Sequence, residues 1–100
     1  MNINVQELKT RQDNQEEIHL IDVREIYEHE EFNIGGELIP LGELPNQIPD
    51  LAMEKNANIV VYCRSGNRSM MGQFLLKEAG YQNVFNLEGG MLAWQEAFVE

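Results

Sequence analysis

A lone cysteine followed by two arginines within five residues is the part of this sequence best equipped for chemistry: Cys63-Arg64-Ser65-Gly66-Asn67-Arg68-Ser69. A thiol attacks as its thiolate, and a free cysteine ionises only near pH ~8.5. Helix N-termini and nearby cations bring that value down to roughly 3.5–7.5. Gly66 and Asn67 tolerate unusual backbone angles. The loop can therefore curl so that successive backbone N–H groups point into one concavity, a nest for an anion. A helix beginning just after it adds partial positive charge at the same place. These features make Cys63 a reactive thiolate. The competing reading is a small core hydrophobe after a buried strand. A core position is not usually followed by two arginines and a glycine, so the reactive reading is preferred.

Such a loop needs a strand to deliver it and a helix to receive it. Asn58-Ile59-Val60-Val61-Tyr62 is unbroken, β-branched and aromatic, which predicts a strand buried on both faces. Ser69 to Ala79 predicts a helix with Met70, Phe74 and Leu75 among its apolar residues, and Gly80 stops it. Cys63 thus falls at the carboxyl end of a central strand, the rim where open α/β sheets bind ligands. The remaining segments alternate in the same way. Ile3 to Val5 predicts a short strand and Gln6 to Gln12 a short helix. His19 to Asp22 predicts a strand, and Arg24 to Phe32 a surface helix with Ile26, Tyr27 and Phe32 facing inward. Leu38-Ile39 predicts a very short strand ended by Pro40. Pro45 and Pro49 punctuate a loop-and-helix segment. Val84 to Asn86 predicts a last strand, and Gly89-Gly90 opens a last helix through Trp94 and Phe98. The fold class is α/β with a small, open, mostly parallel sheet flanked by helices, and the expected organisation is one domain over 1–100.

Composition narrows the partners. A net charge of −10 argues against nucleic acid or an anionic membrane as a broad-surface partner. Against that acidity, two of the four arginines lie within five residues of the cysteine, as expected of a site that holds an anion. One cysteine forms no internal disulfide. Cys63, His19 and His29 are too few ligands for a structural zinc, and neither metal nor cofactor is expected. The N-terminus has no secretory pattern, so a cytoplasmic location is expected.

Three motifs in order make the chain resemble the rhodanese (thiosulfate sulfurtransferase-like) family in its single-domain form. Cys63 to Ser69 resembles that family's active-site loop. Ile21-Asp22-Val23-Arg24 resembles its strand-end signature, and Leu87-Glu88-Gly89-Gly90-Met91-Leu92-Ala93-Trp94 its C-terminal Gly-Gly-x-x-x-Trp element. The chain departs from the pattern at Phe32-Asn33-Ile34, where the family often has Gly-His-Ile. The resemblance implies about five parallel strands and a double displacement: Cys63 takes sulfur from a donor as a persulfide and an acceptor then removes it. It also implies that Arg64 and Arg68 bind an anionic donor such as thiosulfate, while the amides of residues 64 to 68, among them Ser65, Gly66 and Asn67, cradle the sulfur. The acceptor would be a thiol or persulfide, small or carried on a protein.

Two other functions compete. A cysteine-based phosphatase or arsenate reductase also sets cysteine and arginine around an oxyanion, but its pattern has five residues between them and this loop has four. A non-catalytic interaction domain would have no need of the cysteine and both arginines. Elsewhere the simpler readings are preferred. Asp22 and Arg24 form an ion pair that supports the strand end, Trp94 is core or pocket wall, and His19 packs. His29 and the acidic stretch Glu28 to Glu31 face solvent. Met70 and Met71 line the pocket or pack against the helix core.

Overall fold

The computed structural model describes residues 1–99, so Glu100 of the expected domain lies outside the described residues. The elements run β1 (Asn2–Ile3), α1 (Val5–Asp13), β2 (His19–Asp22), α2 (Ile26–Glu31), β3 (Glu37–Leu38), α3 (Leu44–Gln47), a 3-10 turn (Ile48–Asp50), β4 (Asn58–Tyr62), α4 (Asn67–Glu78), β5 (Asn83–Leu87) and α5 (Gly90–Phe98). The five strands form one sheet in the order β1-β5-β4-β2-β3, and every pairing is parallel. The expected α/β class and strand number are found.

The central strand explains the layering. Ile59, Val60, Val61 and Tyr62 of β4 are each at most 1% exposed, as an apolar strand covered on both faces must be. Alternation sends Ile59 and Val61 to one face, with Ile21, Val23, Leu76 and Val84. Val60 and Tyr62 go to the other, with Ile3, Leu87, Met91 and Trp94. Helix α4 covers the first face closely. A Cβ on Gly72 would come within 3.2 Å of Val61 Cγ1 and 3.3 Å of Val23 Cγ1, so the glycine sets the helix-to-sheet distance.

That close approach bears on Met70, for which packing against the helix core was one of two expected roles. The buried face of α4 is made of Ser69, Gly72 and Leu76, and Met70 and Phe74 are 59% and 54% exposed. The small Ser69 and Gly72 and the large Leu76 turn to the sheet, Leu75 packs beside them, and Met70, Met71 and Phe74 are left outside. Helix α2 departs likewise: Ile26 and Tyr27 are 60% and 65% exposed, while Phe32, just past its end, packs against the core. Strand β3 falls one residue early, at Glu37–Leu38; Ile39 N–H makes the last bond of the ladder, to Asp22 O of β2, and Pro40, which has no N–H, follows it. Among the described residues no helix is long and apolar enough to cross a membrane.

Candidate active site

Cys63 follows β4 without a break and is 1% exposed. The chain turns at once, because Gly66 takes φ +108°, a conformation that favours glycine. The turn points Gly66 N–H at the sulfur from 3.1 Å and Ser69 N–H from 3.4 Å, with Ser69 Oγ 3.3 Å away. The Ser69 amide belongs to the first turn of α4, so the helix delivers one of its unpaired donors to the cysteine. Burial pushes the thiol's pKa up. The Ser69 hydroxyl and the amides of Ser69, Gly66 and Ser65 pull it down and win, leaving the thiol more acidic than an ordinary cysteine. Sequence reading shared this work between amides and arginines; the strongest pulls come from hydrogen bonds.

Two further elements brace the loop. The first-turn amides of α5 donate to its carbonyls, Met91 N–H to Cys63 O at 2.9 Å and Leu92 N–H to Arg64 O at 3.0 Å. Gly90 permits this: a Cβ there would collide with Cys63 O and stand 2.7 Å from Arg64 O. From β5, Asn86 Nδ2 donates to Gly66 O at 3.1 Å, and Asn86 Oδ1 accepts from the Ser69 hydroxyl at 2.5 Å. Sequence reading missed Asn86. The available signal was a polar residue inside the apolar run Val84-Phe85-Asn86-Leu87.

The two arginines separate. Arg68, on α4, makes a two-pronged ion pair with Glu28 of α2 at 2.7 and 2.9 Å. Glu28 was expected to face solvent and instead is largely covered by that pair. Arg64 is exposed and has no ion-pair partner among the described residues. It lines a pocket of about 320 Å³ beside the loop, with Tyr27, Glu28, Phe32, Met91 and Leu92. A larger concavity, about 730 Å³, lies at the opposite rim among His19, Glu37 and Asn58. No cysteine lines it. Met70 and Met71 do not line the pocket beside the loop.

Beyond α2, Asp22 is fully buried and accepts from Arg24 Nε at 2.9 Å and Nη2 at 2.8 Å. His29 Nδ1 stands 2.8 Å from the same carboxylate. The expected Asp22–Arg24 ion pair is present, while His29, expected in solvent, is drawn into it. Desolvation pushes Asp22 up, but the hydrogen bonds from Arg24 and His29 outweigh it, so its pKa is lowered.

The Glu28–Arg68 pair gives a pH-dependent expectation. The Arg68 hydrogen bonds hold the Glu28 carboxyl down to about 2, against roughly 4.3 in an unfolded chain. A depressed carboxyl contributes stability that is complete above the unfolded value and lost as pH falls towards the folded one. Because Arg68 is more than a third exposed, the contribution is about 1 kcal/mol after solvent screening. Between pH ~4.5 and ~2, wild type should lose stability more steeply than Glu28→Gln by about that amount. Parallel melting curves for the two proteins over this range would show that the pair adds nothing.

A wholly parallel sheet with helices on both faces, carrying a buried and amide-collared cysteine at the carboxyl rim of its central strand, is the rhodanese class of α/β architecture. The chain belongs to the rhodanese-like domain family, which matches residues 4–97. It is 42% identical over 89 residues to the Bacillus subtilis protein named "Putative sulfurtransferase YtwF", covering 88% of this chain and 84% of that one. It is 37% identical over 93 residues to "Putative sulfur carrier protein YrkF" of the same organism, covering 92% of this chain but 49% of that one, so it spans about half of that relative. Among solved structures, a rhodanese-like domain protein from Staphylococcus aureus superposes with a TM-score of 0.84 at 30% identity, covering 94% of this chain and 91% of that one. The general class of activity is that of a sulfurtransferase-type transferase.

Proposed function

We propose that Cys63 carries a sulfane sulfur as a persulfide and passes it from an anionic or persulfide donor to a thiol-type acceptor. The observation that carries this reading is the collar of two amides and one hydroxyl around a buried sulfur, which favours a thiolate where an ordinary cysteine would stay protonated. With thiosulfate as donor, the Cys63 thiolate attacks the outer sulfur. A new S–S bond forms, the old one breaks, and sulfite leaves with the bonding pair. The acceptor then attacks the outer sulfur of the persulfide, and Cys63 leaves as the thiolate. The relatives' names, sulfurtransferase and sulfur carrier, agree with both halves of this cycle. The phosphatase alternative is disfavoured by the four-residue spacing from Cys63 to Arg68, which makes a small ring of amides. Mass spectrometry after incubation with thiosulfate should show one added sulfur on the Cys63 peptide, removed by cyanide. A protein that never acquires that mass, yet hydrolyses aryl phosphates, would reverse the ranking.

The arginines divide the work of donor binding. The family resemblance implied donor binding by both. The geometry favours Arg64, since the Arg68 charge is already engaged by Glu28 and Arg64 is an exposed cation beside the pocket with no ion-pair partner among the described residues. Arg64→Ala should raise KM for thiosulfate about tenfold, the lower end expected for losing a charge-assisted hydrogen bond. Arg68→Ala should change KM less and lower the melting temperature more. Steady-state kinetics over a salt series would show the contrary if Arg68→Ala had the larger effect on KM.

A further inference from the structure

We infer that Asn86 competes with the Cys63 thiolate for the single hydroxyl proton of Ser69, and is therefore a positioning residue that sets how well the empty thiolate is solvated. The inference rests on the reading of Cys63 as a reactive thiolate. A serine hydroxyl has one hydrogen to donate. Here two acceptors sit within reach, Asn86 Oδ1 at 2.5 Å and Cys63 Sγ at 3.3 Å. The amide of Asn86 cannot be turned round to remove the conflict. Its Nδ2 faces Gly66 O at 3.1 Å, and a flip would set two oxygens against each other.

Follow the hydrogens through the cycle. With Cys63 protonated, S–H donates to Ser69 Oγ and the Ser69 hydroxyl donates to Asn86 Oδ1, so each group is satisfied. Once the thiol proton has left, the sulfur accepts from Gly66 N–H and Ser69 N–H, with the Ser65 amide also drawn to it, and the Ser69 hydroxyl is the one side-chain donor within reach. The hydroxyl can donate to the sulfur only by rotating away from Asn86. Asn86 is 5% exposed, and the described residues offer its Oδ1 no second donor. A buried acceptor left alone carries a desolvation penalty. The empty thiolate thus gains less net stabilisation from the hydroxyl than it would beside a free serine, because Asn86 Oδ1 loses the donor that the sulfur gains. In the persulfide the charge moves to the outer sulfur, the inner sulfur becomes a weak acceptor, and the hydroxyl can return to Asn86. The pair Ser69–Asn86 therefore favours the loaded form over the empty thiolate. Only a hydroxyl rotates; no covalent bond changes. The charged groups nearest this cluster are Arg64 in the loop, Arg68 on α4 with Glu28 on α2, and Asp22 at the end of β2 with its partners Arg24 and His29. None of them bonds to Asn86, so its replacement leaves their pairings in place.

The test needs no sulfur donor, so its outcome is independent of whether the protein loads sulfur. In wild-type protein labelled with carbon-13, the Asn86 side-chain carbonyl signal should titrate with the Cys63 thiol, because Oδ1 loses its donor at that step. In Ser69→Ala the same signal should be flat. In parallel, iodoacetamide alkylation rates across pH report the thiol midpoint. Asn86→Ala should lower it by about one pH unit, the equivalent of one hydrogen bond to a charge, and should leave it unchanged in a Ser69→Ala background. A flat Asn86 signal in the wild type would overturn the proposal. So would a midpoint that rises in Asn86→Ala in both backgrounds, for Asn86 would then serve only to brace Gly66.

Discussion

Replacing Cys63 with serine should abolish sulfur transfer from thiosulfate to cyanide, a loss of at least about a thousandfold, or more than ~4 kcal/mol of barrier. The substituted hydroxyl fits the same space and can accept from the Gly66 and Ser69 amides that now face the sulfur. It does not ionise at neutral pH, and the collar has nothing like enough pull to make it do so. Melting temperature should therefore stay near that of the wild type while turnover disappears. This separation is informative, since a loss of turnover accompanied by unfolding would say nothing about the nucleophile. Substantial residual transfer in a well-folded Cys63→Ser protein would remove Cys63 from the mechanism altogether.

Gly90→Ala should be the most damaging of the glycine substitutions around the site. Its Cβ would be driven into Cys63 O and to within 2.7 Å of Arg64 O, and both obstacles are backbone. Gly90 also holds φ +52°, which adds a smaller conformational penalty for any other residue. Relief requires α5 to back away from the cysteine loop, breaking the bonds from Met91 and Leu92 to residues 63 and 64. A loss of about 3–5 kcal/mol is expected, which in a domain of this size is a fall in melting temperature of roughly 12–25 °C or more. Gly42→Ala is the control, because nothing lies within 4 Å of a Cβ there and no unusual φ is required. Equal melting temperatures for the two variants would mean that the approach of α5 to the loop is not tight in solution.

Gly90 and Glu28 show what was legible in the sequence and what was not. The Gly-Gly-x-x-x-Trp element could be read as a motif, and so could the strand Asn58–Tyr62, because an unbroken β-branched run bounded by turn residues has few alternatives. The purpose of Gly90 could not be read, since it depends on which backbone α5 approaches from a distant part of the chain. The same holds for Glu28. In sequence it is one of several acids on a short helix, and only the fold brings it to Arg68, 40 residues away. Arg64 and Arg68 look alike in the loop and differ because one of them has met a carboxylate. Helix α2 misled for a related reason. Ile26 and Tyr27 are apolar, but the core beneath them is filled from Phe32 and Ile34, so they remain outside. Local pattern settles elements and the loop; pairings between distant segments settle which side chains are free to act.

The burial of Cys63 bears on which of two atoms an acceptor meets. A persulfide offers two electrophilic sulfurs. Attack on the outer one transfers sulfur, whereas attack on the inner one expels hydrosulfide and leaves a mixed disulfide on the protein. In the thiol form the inner atom is sealed behind Gly66 and Ser69, at 1% exposure. An added sulfur would extend about 2 Å beyond it, towards whatever approaches. On the persulfide reading, regiochemistry is thus decided by depth.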